Sequence, residues 1–346
     1  MAVIVARRRE GTKAGGHTEG IVSRMFDSLD LDAIRAAADR IAPHVVRTPM
    51  LQVRHGDADL LLKPEGLQPT GAFKLRGAFS LMTTLPDDTP GVVAHSSGNH
   101  AQAVACAAAT LGVRAVIVMP SDAPELKLRR TREWGAEVVV VGPDSDERAA
   151  RADELAASEG LVPVPPYDHP LIAAGQGTAA LELLDDAGSL DRFYAPVSGG
   201  GLMAGCATVL HARCPDAEIV GVEPADGDDT LRSLAAGERV SVPPPRSLAD
   251  GLRVRRPGAL TFEVVRRRVQ RIELVTDDEL LDAMAWALDT LRLVLEPSGA
   301  ASLAVALREG RGRCGVLLSG GNVDPELLAE VSHRQPHRSG PDSGTN

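Results

Sequence analysis

The sequence predicts an α/β protein of two lobes, each an open, mostly parallel sheet flanked by helices. Three observations carry this. Between residues 91 and 159, short apolar runs alternate with helical patterns across brief loops, in the order βαβαβα. A second series of the same kind begins near Pro170. Runs such as Ala115-Val116-Ile117-Val118-Met119 lack polar alternation, as strands buried on both faces require.

Residues 1–24, with Arg7-Arg8-Arg9 and a Gly-rich stretch, read as a dispensable mobile tail. Met25 stands just before a helix opening, Asp27-Ser28-Leu29-Asp30, and is itself a candidate start. In the first series 91–95 is a strand, 100–111 an Ala-rich helix and 115–119 a strand. A helix over 125–134, a strand over 136–141 and a helix over 145–159 follow. In the second series 175–185 is a helix, 192–197 a strand, 202–212 a helix and 218–222 a strand. Pro243-Pro244-Pro245 is a break. Then come 261–268, a strand over 271–275 and a helix over 277–293. Thr276, with Glu279 three residues on, predicts a capping box there. A helix over 298–308 and a strand over 314–318 complete the series, and 333–346 is a polar tail. The expected division is a large domain of 25–88 with 169–332 and a small domain of 89–168, with the site between them.

At 346 residues the chain can bury a large core. Its net charge of −10 and aromatic content of 3% argue against nucleic-acid binding, which wants a basic surface and stacking rings. No apolar run approaches the roughly 20 residues of a membrane span. Cys106, Cys206, Cys214 and Cys314 are scattered with no Cys-x-x-Cys pair, so reduced thiols in a cytoplasmic protein are expected.

Four clusters carry the chemistry. Lys74 sits in Pro69-Thr70-Gly71-Ala72-Phe73-Lys74-Leu75-Arg76-Gly77-Ala78. Gly71 and Gly77 permit close backbone approach and Phe73 supplies an apolar wall. A partly desolvated lysine has a lowered pKa, which Schiff-base formation and proton abstraction both need. Ser96-Ser97-Gly98-Asn99-His100 joins a strand end to a helix start, where free amides can hold a carboxylate. Its plainer reading is an N-cap. Ser198-Gly199-Gly200-Gly201-Leu202 again follows a strand and opens a helix, so several N–H groups can converge on a phosphate. The same segment fits G-x-G-x-x-A through Gly199, Gly201 and Ala204, with Glu223 about twenty residues on. By itself it would suit a Rossmann-type dinucleotide oxidoreductase, but such a protein has no use for Lys74 or for the Ser96–Asn99 cluster. Ser319-Gly320-Gly321-Asn322 follows the last strand, either as a simple turn or with the Ser319 hydroxyl at a pyridine nitrogen. A hydroxyl there leaves the nitrogen largely unprotonated and the ring a weaker electron sink. Expulsion of a β-substituent suits such a ring better than transamination does. One amine and three Gly/Ser loops describe a site for a phosphate-bearing aldehyde, pyridoxal phosphate (PLP).

Together these motifs resemble the fold-type II PLP enzymes, with a tryptophan synthase β-like fold, and within them the threonine/serine dehydratase and serine racemase family. The resemblance runs from about Leu29 to Val331 and extends to Ala174-Gly175-Gln176-Gly177-Thr178 and Glu296-Pro297-Ser298-Gly299-Ala300. It implies that Lys74 carries the cofactor and removes the substrate Cα proton. Asn99 would bond the cofactor 3′-oxygen. Ser198, Gly199, Gly200, Gly201 and Leu202 would cradle the phosphate, and Ser319 would pair with the ring nitrogen. Ser96, Ser97, Asn99 and His100 would hold the substrate carboxylate, by backbone and side chain. In the racemase branch Ser97 would be the acid/base on the face opposite the lysine. Phe73 and Gly251 would line the pocket. Glu223, Asp229 and the carbonyl of Gly227, in Glu223-Pro224-Ala225-Asp226-Gly227-Asp228-Asp229, would bind Mg²⁺, Mn²⁺ or Ca²⁺; the plainer reading is an acidic surface loop.

The implied activity is β-elimination from L-threonine or L-serine to a 2-oxo acid and ammonia. The alternatives are a serine or aspartate-type racemase and a 3-hydroxyaspartate dehydratase, and a non-catalytic amino-acid-binding regulator is a more distant one. A second substrate carboxylate would need a cationic or amide anchor that the sequence does not locate. A homodimer or homotetramer is expected from the resemblance. About twenty-five residues follow Asn322, so an isoleucine-sensing regulatory domain is not expected.

Overall fold

The computed structural model describes residues 28–96, 98–123 and 125–334. The expectations for residues 1–24, for Met25, for Ser97 and for most of the C-terminal tail lie outside these. The chain opens with α1 (Leu31–Ile41), capped by Asp30, whose Oδ1 accepts from the Ala33 amide at 2.8 Å. A hairpin of β1 (Leu51–His55) and β2 (Ala58–Pro64) follows, then α2 (Lys74–Met82). Next come β3 (Val92–His95), α3 (Asn99–Leu111), β4 (Ala115–Pro120), α4 (Glu125–Glu133), β5 (Glu137–Val141), α5 (Ser145–Glu159) and β6 (Val162–Pro163). They build a four-stranded parallel sheet in the order β5-β4-β3-β6.

The rest of the chain contributes α6 (Pro170–Ala187), β7 (Arg192–Pro196), α7 (Gly201–Arg213), β8 (Glu218–Pro224), α8 (Asp229–Ala236), α9 (Ala259–Arg268) and β9 (Arg271–Val275). It ends in α10 (Asp277–Trp286), α11 (Pro297–Glu309), β10 (Gly312–Leu318) and α12 (Pro325–Ser332). The second sheet has six strands in the order β1-β2-β10-β7-β8-β9, parallel except for β1. The last strand inserts between β2 and β7 and so ties the N-terminal hairpin to the C-terminal half. Apolar cores cover both faces of each sheet.

Two elements differ from expectation. The helix expected over 277–293 ends at Trp286 and passes into a wide turn over Ala287–Leu291. Arg292 then takes a left-handed φ of 59°, which stops the helix. The helix expected from residue 175 begins at Pro170, where His169 Nδ1 accepts from the Leu171 amide at 3.2 Å. The capping box at Thr276 and Glu279 is present as expected.

The helix α2 joins the two halves. Leu75, Ala78, Phe79 and Met82 pack in one core with Val92, Ala101 and Val104 of the four-stranded unit. Its other side lies on α6, where a Cβ at Gly77 would collide with the Gln176 side chain. Arg76, fully buried, anchors it there. Its guanidinium makes a bidentate pair with buried Glu65, at 2.7 and 2.8 Å, and reaches Glu182 at 2.6 Å. Lys63 completes the cluster by meeting Glu182 at 2.6 Å. Two cations and two carboxylates leave no net charge in this interior, which makes its burial tolerable.

Candidate active site

Lys74 is the first residue of α2, half-buried, with its Nζ donating to the Pro166 carbonyl at 2.7 Å. The same Nζ stands 5.1 Å from the Phe73 ring centroid. Loss of water around the amine pulls its pKa from 10.5 to about 8. A substantial fraction is therefore neutral near physiological pH, as a nucleophile or base must be.

Pro166 leads directly to Tyr167, and Tyr167 lies over the glycine loop between β7 and α7. A Cβ at Gly199 would collide with the Tyr167 ring, and one at Gly201 would come within 3.0 Å of Tyr167 Cα. On the other side, a Cβ at Gly200 would come within 2.8 Å of Thr261 Cβ. Gly200 has a φ of 90°, and Ser198 is also left-handed at 53°. The loop is thus pressed between two side chains, and only glycines fit. Gly200 is the N-cap of α7 and offers no capping side chain, so the first amides of the helix have no internal partner. Amides so placed, with the helix dipole behind them, are able to hold an anion.

The other clusters meet the same spot through hydrogen bonds. The Phe73 amide donates to Ser319 O at 3.0 Å, and Ala72 bridges to Gly320. Ser319 Oγ donates to Ser298 O at 3.2 Å, and Ser298 Oγ accepts from the Gly251 amide at 2.9 Å. The Gly251 carbonyl accepts from Ser198 Oγ at 3.1 Å. One chain of contacts therefore runs from the lysine loop through Ser319 and Gly251 to the glycine loop.

Asn99 reaches across from α3. Its Nδ2 donates to Glu296 Oε1 at 2.6 Å, and its Oδ1 accepts from Asn322 Nδ2 at 2.9 Å. Glu296 is 3% exposed; burial, then the nearby Asp250 charge, raises its pKa to about 7. The N-cap of α3 is Gly98, which has no side chain to cap the helix. Ser96 Oγ accepts from the Gly98 amide at 3.2 Å and shapes the loop. Lys127 Nζ lies 3.8 Å from where a Gly98 Cβ would stand, but it is held in an ion pair with Asp250.

The side chain of His100 is engaged inside the fold. The ring is buried, with Nε2 2.8 Å from the Val164 carbonyl. Burial, then the positive charge of Lys74, lowers its pKa to about 3, so the ring is neutral. Only its backbone amide is left for a ligand.

Glu223 is the last residue but one of β8, the strand beside the one that leads into the glycine loop. Both of its carboxylate oxygens accept amides from α8, Thr230 at 3.1 Å and Leu231 at 3.0 Å. That engagement corrects the dinucleotide alternative, because a buried helix-capping carboxylate does not face a ribose. Asp229 is fully buried, and neither of its carboxylate oxygens has a hydrogen-bond partner among the described residues. Burial pushes the pKa of both carboxyls upward, with the Asp228 charge adding to it at Glu223 and the Glu223 charge adding to it at Asp229. The Gly227 amide donates to Pro224 O at 2.9 Å, closing the turn that carries the loop. Among the described residues no group of three or more His, Cys, Asp or Glu side chains could hold a metal.

Sequence reasoning gave no role to Pro166, Tyr167, Asp168, Thr261, Glu296 or Asn322. Asp168 accepts from the Ala259, Leu260 and Thr261 amides at 2.8–3.2 Å and so fixes Tyr167 over the glycines. The one available signal was Tyr167-Asp168 after Pro165-Pro166, with tyrosine occurring only twice in the chain. An open groove of about 540 Å³ is lined by Asn322 together with Thr70, Gln102, Arg130 and Trp134. All four cysteines are free and buried. No helix among the described residues is long and apolar enough to cross a membrane.

Residues 41–320 match the family described as pyridoxal-phosphate dependent enzyme. The chain is 39% identical to serine racemase of Schizosaccharomyces pombe, over 88% of this chain and 98% of that protein. It is 40% identical to L-threo-3-hydroxyaspartate ammonia-lyase of Saccharomyces cerevisiae, over 90% and 97%. Among solved structures, maize serine racemase superposes with a TM-score of 0.83 at 37% identity, covering 88% of this chain and 96% of that one. A threonine deaminase superposes with a TM-score of 0.82 at 44% identity, covering 85% and 99%.

Proposed function

The chain belongs to the pyridoxal-phosphate-dependent enzymes, in the group of threonine/serine dehydratases and racemases, and on that premise we propose that it is an ammonia-lyase for L-threonine or L-serine. The observation that carries this is Lys74 Nζ, an amine with its pKa lowered to about 8, two residues of contact away from the glycine cradle.

The residues present fit the cofactor: an amine for its aldehyde, amides for its phosphate, a side-chain amide for its 3′-oxygen and a neutral hydroxyl for its ring nitrogen. When bound, pyridoxal phosphate supplies an electrophilic carbon for the substrate amine and a sink for the electron pair left when Cα loses its proton. In the proposed mechanism, the backbone amides of Ser198–Leu202 bind the phosphate and fix the ring in the site. Asn99 and Ser319 hold the ring at two further points. The first amides of α3, with Ser96 and Ser97, hold the substrate carboxylate and so present the Cα hydrogen to Lys74. Neutral Lys74 Nζ takes that proton and, as an ammonium, sits where it can return it to the departing hydroxyl. The products are a 2-oxo acid and ammonia, after water adds to the released enamine.

Lys127 supports a substrate with one carboxylate. Its Nζ stands 3.8 Å from where a Gly98 Cβ would be, and Asp250 already neutralises it. The 40% identity to a 3-hydroxyaspartate ammonia-lyase favours that second reading, and the 39% identity to a serine racemase favours a third, with Ser97 as second acid/base. All three begin with proton removal at Cα. Measuring 2-oxo acid from L-threonine, L-serine and L-threo-3-hydroxyaspartate, and D-serine from L-serine, separates them; a product from none of these sinks the proposal.

We further propose a divalent cation at Glu223, Asp229 and the Gly227 carbonyl. The two orphaned oxygens of buried Asp229 support it, and all-oxygen donors suit Mg²⁺, Mn²⁺ or Ca²⁺. A cation there would offset repulsion between the carboxylates and stiffen the loop below Tyr167. A homodimer or homotetramer, and a cytoplasmic location, are proposed on family grounds; light scattering of the purified protein tests the first.

A further inference from the structure

We propose that Asn322 and Glu296 are positioning residues that decide which edge of the Asn99 amide faces the cofactor, so that Asn99 presents an N–H and never its carbonyl. This assignment rests on the function proposed above, in which the site takes pyridoxal phosphate and Asn99 meets its 3′-oxygen. It follows from what each group is able to donate or accept. A backbone carbonyl only accepts, and a guanidinium only donates. Asn322 lies between one of each: its Nδ2 donates to Thr70 O at 2.8 Å, and its Oδ1 accepts from Arg130 Nη1 at 3.5 Å. Turning that amide over would set carbonyl against carbonyl and N–H against guanidinium. The second hydrogen of Asn322 Nδ2 is thereby aimed at Asn99 Oδ1, 2.9 Å away. Asn99 Nδ2 is left on the other side, where one hydrogen goes to Glu296 Oε1 at 2.6 Å. One hydrogen remains for a ligand.

Both ends of this relay are fixed in place. A Cβ at Gly71 would collide with the Asn322 side chain, and Gly71 has a φ of 73°, so the lysine loop is shaped around Asn322. A Cβ at Gly320 would collide with the Glu296 carboxyl, and the Glu296 amide donates to Gly320 O at 3.2 Å. Glu296 thus lies against the residue after Ser319 and, at 3% exposure, has no open solvent to swing into. An N–H at the 3′-oxygen stabilises its ionised form, whereas a carbonyl there would favour the protonated form. The two forms differ in visible absorbance, so the sense of the amide has an optical signature independent of turnover.

The test is the absorbance spectrum and the pyridoxal phosphate dissociation constant of the full chain and of three variants. Asn322→Asp is nearly isosteric but only accepts, so it should turn Asn99 over. Its absorbance should move to shorter wavelength and its dissociation constant should rise about tenfold. Glu296→Ala should shift the spectrum part way, and Glu296→Gln, which keeps an acceptor oxygen, should bring it back. Thermal melts check folding, and if Asn322→Asp does not fold, the Glu296→Ala and Glu296→Gln pair decides alone. Folded variants with the unaltered spectrum and affinity overturn the proposal. A parent chain that takes up no pyridoxal phosphate overturns the underlying function instead, and the inference with it.

Discussion

The pKa of Lys74 gives a prediction that can be followed through in numbers. Burial alone lowers it, from 10.5 to about 8. The neutral fraction at pH 7.5 then rises roughly 200-fold over that of an ordinary lysine. Capture of pyridoxal phosphate by the cofactor-free protein requires the neutral amine, so its rate should follow this fraction. The assay is the initial growth of the visible band in stopped flow across pH 6–10, with the cofactor in excess. Dividing each rate by that of a simple alkylamine, corrected for its own neutral fraction, removes the titration of the cofactor. The corrected rate should climb about tenfold per pH unit up to pH 7.5, bend near 8 and be flat by 9.5. A rate that still climbs tenfold per unit above pH 9 would mean an ordinary lysine, and the desolvated base would have to be abandoned.

Three other outcomes follow from the same structure. Arg76→Met leaves buried Glu65 without its bidentate partner and should destabilise the protein by about 3–5 kcal/mol in urea unfolding; a loss under 1 kcal/mol would show that the cluster relaxes into solvent. Gly199→Ala drives a methyl into the Tyr167 ring and should weaken pyridoxal phosphate binding roughly tenfold by equilibrium dialysis, and unchanged affinity would place the phosphate elsewhere. His100 is held neutral, with a pKa of about 3 in the fold against 6.5 in the unfolded chain. Its contribution is therefore complete above pH 6.5 and is lost as pH falls toward 3, at about 1.4 kcal/mol per pH unit. His100→Gln should flatten the acid side of the stability profile by that slope between pH 6 and 4.

Much of the fold was legible because its strands are buried on both faces. Ala115–Pro120 is apolar throughout, and every residue in it is buried. The hairpin Leu51–His55 and Ala58–Pro64 was not legible. The alternation that marks the first strand, with Gln52 and Arg54 outward, runs over only five residues, and in the second a lysine stands at a fully buried position, paired with Glu182. The helix Lys74–Met82 was hidden for a similar reason, since it buries Arg76 and Ser80 among its apolar residues. Helix Pro170–Ala187 is buried nearly all round, so it lacks the amphipathic stripe that would mark its first turn. In the site, each Gly/Ser cluster announced itself locally through strand–loop–helix patterning. The clamp on Asn99 did not, because Glu296 and Asn322 lie 197 and 223 residues away along the chain. The inward turn of His100 was equally hidden, since its partner is a backbone carbonyl, Val164 O.

The most direct test of the central claim is product release from the full chain supplied with pyridoxal phosphate and Mg²⁺, beside Lys74→Ala. Equal amounts of 2-oxo acid and ammonia should form from L-threonine or L-serine, and both should vanish in the variant. Substrate recovered intact from an enzyme that visibly holds the cofactor would contradict an ammonia-lyase; recovered substrate enriched in the D-form would make the chain a racemase.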